Sequence, residues 1–352
     1  MEFGSDSLNQ NTNDHDQVTM RDVARAAGVS RMTVSRALKK ESSVSQETRE
    51  RILKFVHEMN YVPDQIAGSL TTGKSGFVGV LLPSLNNLHF ALTVQALTEC
   101  FESENLQLLV GCTAYDRVRE EHLVQTLLRR RPEAMILSYD GHTERTISLL
   151  KDAPIPIVEI WETPEDPIDH TVGFSNAKAA FTMAQALLGR GFKNIVFLGE
   201  ENDDWTRGAS RRSGFLSAMA DAGITSPAQL RYGTPPLSIE NGAMAAKLLV
   251  DQFPQADCVF CVSDMAAYGM LSGLRKYGKR VPEDISLVGF GNFEVSRFCV
   301  PTLSTVMVDP VMIGRESGCP VACLLYQETE ALDNPRHIYV EPSIEFRDSC
   351  TD

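Results

Sequence analysis

Arg31, Met32 and Arg36 stand at positions that one α-helix would turn to the same side. Each residue advances about 100° around a helix axis, and Val34, Ala37 and Leu38 then fall in the opposite arc. Two guanidinium groups and a thioether on an outer face suit recognition of base edges in a major groove. Arg31 and Met32 near the helix start would reach bases, and Arg36 a guanine or a phosphate. Ser30, Thr33 and Ser35 have the reach of phosphate-binding hydroxyls, and Thr19 upstream joins the same candidate set. A second set lies far along the chain, each member just after an apolar run: Ser84, His89 and Phe90, then Glu159 and Trp161. Arg207 and Arg211, Ser263 and Asp264, and Asn292 complete it. Arginine pairs bidentately with carboxylates, so this second chemistry is that of a pocket for a small polar acid.

The first set needs helices to hold it. Thr19 is an N-cap with Asp22 three residues on, a relative of the capping box. Met20, Val23, Ala24 and Ala27 follow at the spacing of one buried helical face. Gly28 fits the left-handed residue that ends a helix, and Ser30 caps the next one. Two short helices joined by a glycine turn predict a helix-turn-helix. A third helix, capped by Ser45 and carrying Ile52, Phe55, Val56 and Met59, ends near Asn60. The same spacing also fits a three-helix protein-interaction domain with a solvated basic face. Charge separates the segments. The whole chain carries −13, yet residues 18–74 carry ten Lys/Arg against six Asp/Glu. A basic module ahead of an acidic one points to a nucleic-acid-binding end joined to something else.

The second set needs strands. From Phe77 onward short apolar runs alternate with amphipathic helices, as in Phe77–Leu82, Leu106–Val110, Ala134–Leu137 and Ile157–Trp161. The pattern restarts at Asn194–Leu198, Cys258–Val262 and Ile285–Gly289. Such alternation predicts parallel sheets covered by helices, with enough strands for two lobes. Ligands of open α/β sheets bind beyond the carboxyl ends of the strands, which places the candidates in a cleft between lobes.

Length and composition fit this plan. A chain of 352 residues with 43% hydrophobic residues buries a core without disulfides or metals. Eight cysteines read as thiols, and the polar start of the chain does not resemble an export signal, which implies a cytoplasmic protein. No apolar run reaches the roughly 18 residues of a membrane span. Cys258 and Cys261 lie on a predicted strand without a second metal-ligand pair, so they read as packing thiols. Cys319 and Cys323 share a helical face and also read as packing. No nucleophile–base signature and no phosphate-binding glycine loop appears, so nothing supports an enzyme, and no cofactor is expected.

The run Val18-Thr19-Met20-Arg21-Asp22-Val23-Ala24, with Ala27-Gly28-Val29-Ser30 and Thr33-Val34-Ser35-Arg36-Ala37-Leu38, resembles the LacI/GalR family of bacterial transcription regulators. Val44-Ser45, Thr48-Arg49 and Asn60-Tyr61-Val62-Pro63 continue the resemblance, which extends to about residue 350. It implies a helix-turn-helix DNA-binding domain over 18–62 after a disordered tail at 1–17. A hinge helix and linker would follow over 63–75, then a two-lobed core resembling periplasmic sugar-binding proteins over 76–350. Lobe one would take about 76–173 and 305–335, and lobe two 174–304 and 336–350. In the family, paired hinge helices of a homodimer enter the minor groove of the operator, and Leu70 matches the leucine that wedges between base steps. Gly68 stands where the family often has arginine. His89, Phe90, Arg211, Asp264 and Asn292 match the family's effector contacts. Gly291 replaces an acidic residue common in sugar-binding members. Val80–Asn87 and Val172–Asn176 resemble the gluconate-utilisation branch. Together these imply a repressor controlled by a sugar or sugar acid such as gluconate, the alternative being a solute-binding protein of the periplasmic type.

Overall fold

Three capped helices build the N-terminal unit: α1 (Met20–Ala27), α2 (Arg31–Leu38) and α3 (Gln46–Glu58). The Asp22 carboxylate accepts from the Thr19 backbone N–H at 3.1 Å and from its hydroxyl at 2.5 Å. Gly28, at φ 65°, ends α1 in the left-handed conformation, and the Val29 N–H returns to the Ala24 carbonyl. The Ser30 hydroxyl accepts from the Thr33 N–H and opens α2, while Ser45 accepts from the Thr48 N–H and opens α3. Each such cap is worth about 1 kcal/mol. The helices meet over Val23, Ala27, Val34, Ala37, Ile52 and Tyr61, all buried. Burial of each large aliphatic chain here contributes about 1.5–3 kcal/mol, so this small core rests on few residues. The computed structural model describes residues 18–39, 43–62, 75–102, 104–201, 206–326 and 335–351. The expected tail over 1–17, and Gly68 and Leu70 of the expected hinge, lie outside them.

The second unit, Lys74–Asp352, holds two sheets. The first contains β1 (Phe77–Leu82), β2 (Gln107–Cys112), β3 (Met135–Ser138), β4 (Ile157–Ile160), β5 (His170–Gly173) and β11 (His337–Tyr339). Its order is β11-β5-β4-β3-β1-β2, with every pairing parallel. The second contains β6 (Ile195–Gly199), β7 (Ala228–Arg231), β8 (Cys258–Cys261), β9 (Ser286–Gly291), β10 (Ser304–Met307) and β12 (Ser343–Glu345). Its order is β12-β10-β9-β8-β6-β7, and only the β10–β12 pair is antiparallel. The central strands β1, β3, β8 and β9 are apolar and buried almost end to end, as sheets covered on both faces require.

Helices α4 (Leu88–Glu102), α5 (Arg117–Leu128) and α6 (Glu144–Lys151) serve the first lobe. Helices α7 (Asn176–Gly189), α8 (Arg207–Asp221), α9 (Ile239–Gln252), α10 (Asp264–Lys276) and α11 (Glu294–Phe298) serve the second. Helix α12 (Pro310–Tyr326) returns to pack along α4 in lobe one. The chain therefore crosses between lobes three times, and two crossings differ from expectation. Ser304 does not leave lobe two, because β10 pairs with β9 through Met307, so the second crossing falls at 308–309. Arg336 does not enter lobe two, because β11 pairs with β5, so the third falls at 340–342. Both edge strands are short, and their lobe is set by hydrogen-bond partners distant in sequence.

The cysteines also differ from a set of free thiols. Cys319 does not simply pack beside Cys323; it forms a disulfide with Cys100 across α4 and α12, with Cα atoms 5.0 Å apart. Gly314 and Gly318 allow this approach. A Cβ on Gly314 would lie 2.7 Å from Ala96 and from the Thr93 carbonyl, and one on Gly318 3.1 Å from Cys100 Cβ. Cys258 and Cys261 are buried in β8.

Candidate functional site

The outer face of α2 presents Arg31, Met32 and Arg36 to solvent, while Val34 and Ala37 are buried beneath. Met32 is 65% exposed. Ser35 is half-buried on the same helix. The other hydroxyls have structural partners: Thr19 binds Asp22, and Ser30 and Thr33 bond each other at 2.9 Å.

In the core, a cavity of about 690 Å³ opens between the lobes, beyond the carboxyl ends of the strands. Lobe one supplies Ser84, His89 and Phe90 after β1, Tyr115 after β2, and Trp161 after β4. Lobe two supplies Glu200 after β6, Arg207 and Arg211 from the start of α8, Ser263 before α10, and Phe290, Gly291 and Phe293 at the end of β9.

Trp161 ends β4 at φ 75°, a left-handed turn that breaks strand alternation. Its indole lies edge-on to Phe90 at 5.5 Å and parallel to His89 at 5.8 Å. The indole Nε1 is buried and has no hydrogen-bond partner among the described residues. A buried N–H in a cavity wall demands an acceptor, and a ligand oxygen would satisfy it. His89 stacks on Phe293 from the opposite lobe at 3.9 Å. Burial, and then the Arg211 charge, push His89 down to about 3, so it is neutral and offers one donor and one acceptor. Gly291 makes room for this stack. A Cβ there would sit 2.7 Å from the Phe293 ring and 3.0 Å from His89, and its φ of 127° excludes ordinary side chains. The absent acid at this position is thus a consequence of backbone geometry as well as of charge.

The two arginines differ. Arg207 donates to the Ser138 hydroxyl at 2.6 Å and pairs with Asp140 at 3.2 Å, both in lobe one. Its charge is therefore matched, and it acts as a strut across the cleft. Burial pushes the Asp140 carboxyl up to about 6 against the attraction of Arg207. Arg211 donates through Nε to Asn176 at 2.8 Å and through Nη1 to the Val262 carbonyl at 2.7 Å, and lies 3.8 Å above the Phe290 ring. Both partners are neutral, and Nη2 enters neither bond. Burial and Arg207 lower Arg211 to about 10, which leaves it protonated at neutral pH. Glu200 is raised by burial against Arg211 and Arg212 and completes a wall that accepts hydroxyl protons.

Three expected site residues face elsewhere. Asp264 is fully buried, accepting from the Thr305 hydroxyl at 2.6 Å and from the Phe293 N–H at 2.8 Å. It fixes the loop that carries Phe293 instead of lining the cavity. Asn292 accepts from Arg347 Nη2 at 2.8 Å. Glu159 accepts from the Ile168 N–H at 2.7 Å, and its other oxygen lies 3.4 Å from His142 Nε2. His142 also sits 2.5 Å from Glu120. Burial opposes charge on His142, but the hydrogen bond to Glu120 and the nearby carboxylate of Glu159 prevail and raise it to about 9. Strand membership put these residues near the cleft in sequence; side-chain direction took them out of it. Tyr115, Glu200 and Phe293 were missed. Tyr115 has φ 62° after β2, and no local pattern announces a tyrosine there. Phe293 follows the left-handed Asn292, at φ 58°.

Comparison with known proteins agrees with both units. Residues 19–64 match the family described as bacterial regulatory proteins, lacI family, and residues 184–350 match a periplasmic binding protein-like domain. The HTH-type transcriptional regulator IdnR of Escherichia coli K12 is 35% identical over 303 residues, covering 85% of this chain and 89% of that protein. The HTH-type transcriptional regulator GntR of Pseudomonas aeruginosa PAO1 is 34% identical over 319 residues, covering 90% and 92%. A crystal structure of a LacI family transcriptional regulator from Silicibacter pomeroyi shares 60% identity, covers 78% of this chain and 98% of that one, and superposes with a TM-score of 0.74. The solute-binding alternative falls, because the regulators match across the helix-turn-helix as well as the core. The chain belongs to the LacI family of bacterial transcription regulators.

Proposed function

We propose that this regulator is a cytoplasmic homodimeric repressor that reads a near-palindromic operator through Arg31, Met32 and Arg36, and whose cleft binds a sugar acid. The observation that carries the effector reading is Arg211: a half-buried arginine in the cavity wall whose hydrogen-bond partners are neutral. Glu200 and Glu162 act on Arg211 through space, and a ligand carboxylate would add a counter-charge in direct contact with its guanidinium. The indole N–H of Trp161, neutral His89, and Glu200 and Ser84 then face the hydroxyls, while Phe90 and Phe290 wall the carbon chain. Such mixed apolar walls and few polar anchors are usual in small-molecule sites. The ligand alters operator affinity only through unequal affinity for two lobe arrangements. Calorimetry with gluconate and its neutral counterpart, the sugar alcohol glucitol, tests the reading. The acid binds and the alcohol does so far more weakly; equal binding by both rejects the sugar-acid effector while leaving the regulator intact.

A further inference from the structure

The cavity is larger than a six-carbon acid requires. Its 690 Å³ falls in the middle of the range of about 300–1,000 Å³ for pockets that enclose drug-sized ligands. A hexonate has about 13, and an aldonic acid bearing a second hexose has about 24, within the size range of ligands that such pockets enclose. The lobes are already joined across the cavity by the Arg207–Asp140 ion pair and by the His89–Phe293 stack at 3.9 Å. Further approach at these points would force van der Waals overlap.

The lining changes character along the cavity. The inner end holds buried Trp161 and His89 and half-buried Arg211. The mouth holds apolar Leu88, Pro236 and Ile239, with Leu88 45% and Ile239 37% exposed, together with exposed Glu240 and Glu294. Apolar side chains at a mouth suit the C–H face of a sugar ring, and the carboxylates accept its hydroxyl protons. The same carboxylates repel a second anionic group there, so the ligand carries one acid only.

Resting on the sugar-acid reading of the site, we infer that the effector is an aldobionic acid: an aldonate held at Arg211, with a second neutral hexose against Leu88, Pro236 and Ile239. Isothermal titration of the full chain with gluconate, with lactobionate, cellobionate and maltobionate, and with lactitol tests this. At least one aldobionate binds about tenfold or more tightly than gluconate, a difference of about 1.4 kcal/mol. The inference is overturned if none of the three exceeds gluconate while gluconate still exceeds glucitol, an outcome that leaves the sugar-acid reading standing. Lactitol binding as tightly as lactobionate overturns the carboxylate anchor itself. In Ile239→Asp, the ratio of aldobionate to gluconate affinity falls toward one; an unchanged ratio removes the second ring from the mouth.

Discussion

The outer face of α2 and the cleft of the core solve recognition in opposite ways. On α2 the candidate groups are exposed and carried by one short helix whose buried face does the folding. In the cleft they are buried or half-buried, and several are oriented by partners distant in sequence. Arg211 is held by Asn176 and Val262, Arg207 by Ser138 and Asp140, and Phe293 by Asp264. Exposed groups can be exchanged with little effect on stability, which suits a face that must match a DNA sequence. Buried groups cannot, because each is also part of the fold.

Substitution at Arg211 should produce the largest effect. Arg211→Ala removes the proposed carboxylate anchor and should cost about 2–5 kcal/mol of sugar-acid binding, by analogy with desolvated charge pairs. Titration of the variant with the acid and its alcohol checks this, and equal losses for both would erase the distinction between Arg211 and Arg207. Asp264→Ala comes next, and acts on stability: it leaves the Thr305 hydroxyl and the Phe293 N–H without their acceptor. A loss of about 3 kcal/mol in chemical denaturation is expected, from a cost of roughly 1–3 kcal/mol for each unsatisfied group. A variant as stable as wild type would return Asp264 to the candidate contacts. On α2, Arg31→Ala and Met32→Ala should leave the melting temperature nearly unchanged and shift base preference by about 1–3 kcal/mol per lost contact. Selection from a random duplex pool reads this, and an unchanged consensus for both variants would break the comparison at its exposed end.

The smallest effect expected is in pH. His142 is raised in the folded state to about 9 by Glu120 and Glu159. Its contribution is therefore complete below the unfolded value near pH 6.5 and is lost as pH rises through about 9. Core stability should fall between pH 7 and 10 as the imidazolium loses its proton. Thermal melts should show a shallower slope in Glu120→Gln, which removes one of the two carboxylates; identical slopes would deny the histidine this role.

Legibility follows the same division. Helix spacing and caps exposed α1 to α3 and the outer face of α2, because the face of a helix is decided by residues three and four apart. Alternating runs exposed the two-lobed α/β core and brought Ser84, His89, Phe90, Trp161, Arg207, Arg211 and Ser263 to one cavity. What stayed hidden depended on partners far along the chain. Asp264, Asn292 and Glu159 turn toward Thr305, Arg347 and Ile168. The short β10 and β11 joined lobes that only their pairing defines, and Cys100 met Cys319 across 219 residues.

The most direct test couples the two regions in one tube. Operator duplex obtained by selection is labelled, and its binding by the full chain is followed by fluorescence anisotropy with increasing aldonate or aldobionate. Wild-type affinity for the operator changes with the acid and not with its alcohol, and Arg211→Ala binds the operator yet no longer responds to the acid. Operator affinity that ignores every acid, or an Arg211→Ala protein that responds as wild type does, would contradict the account.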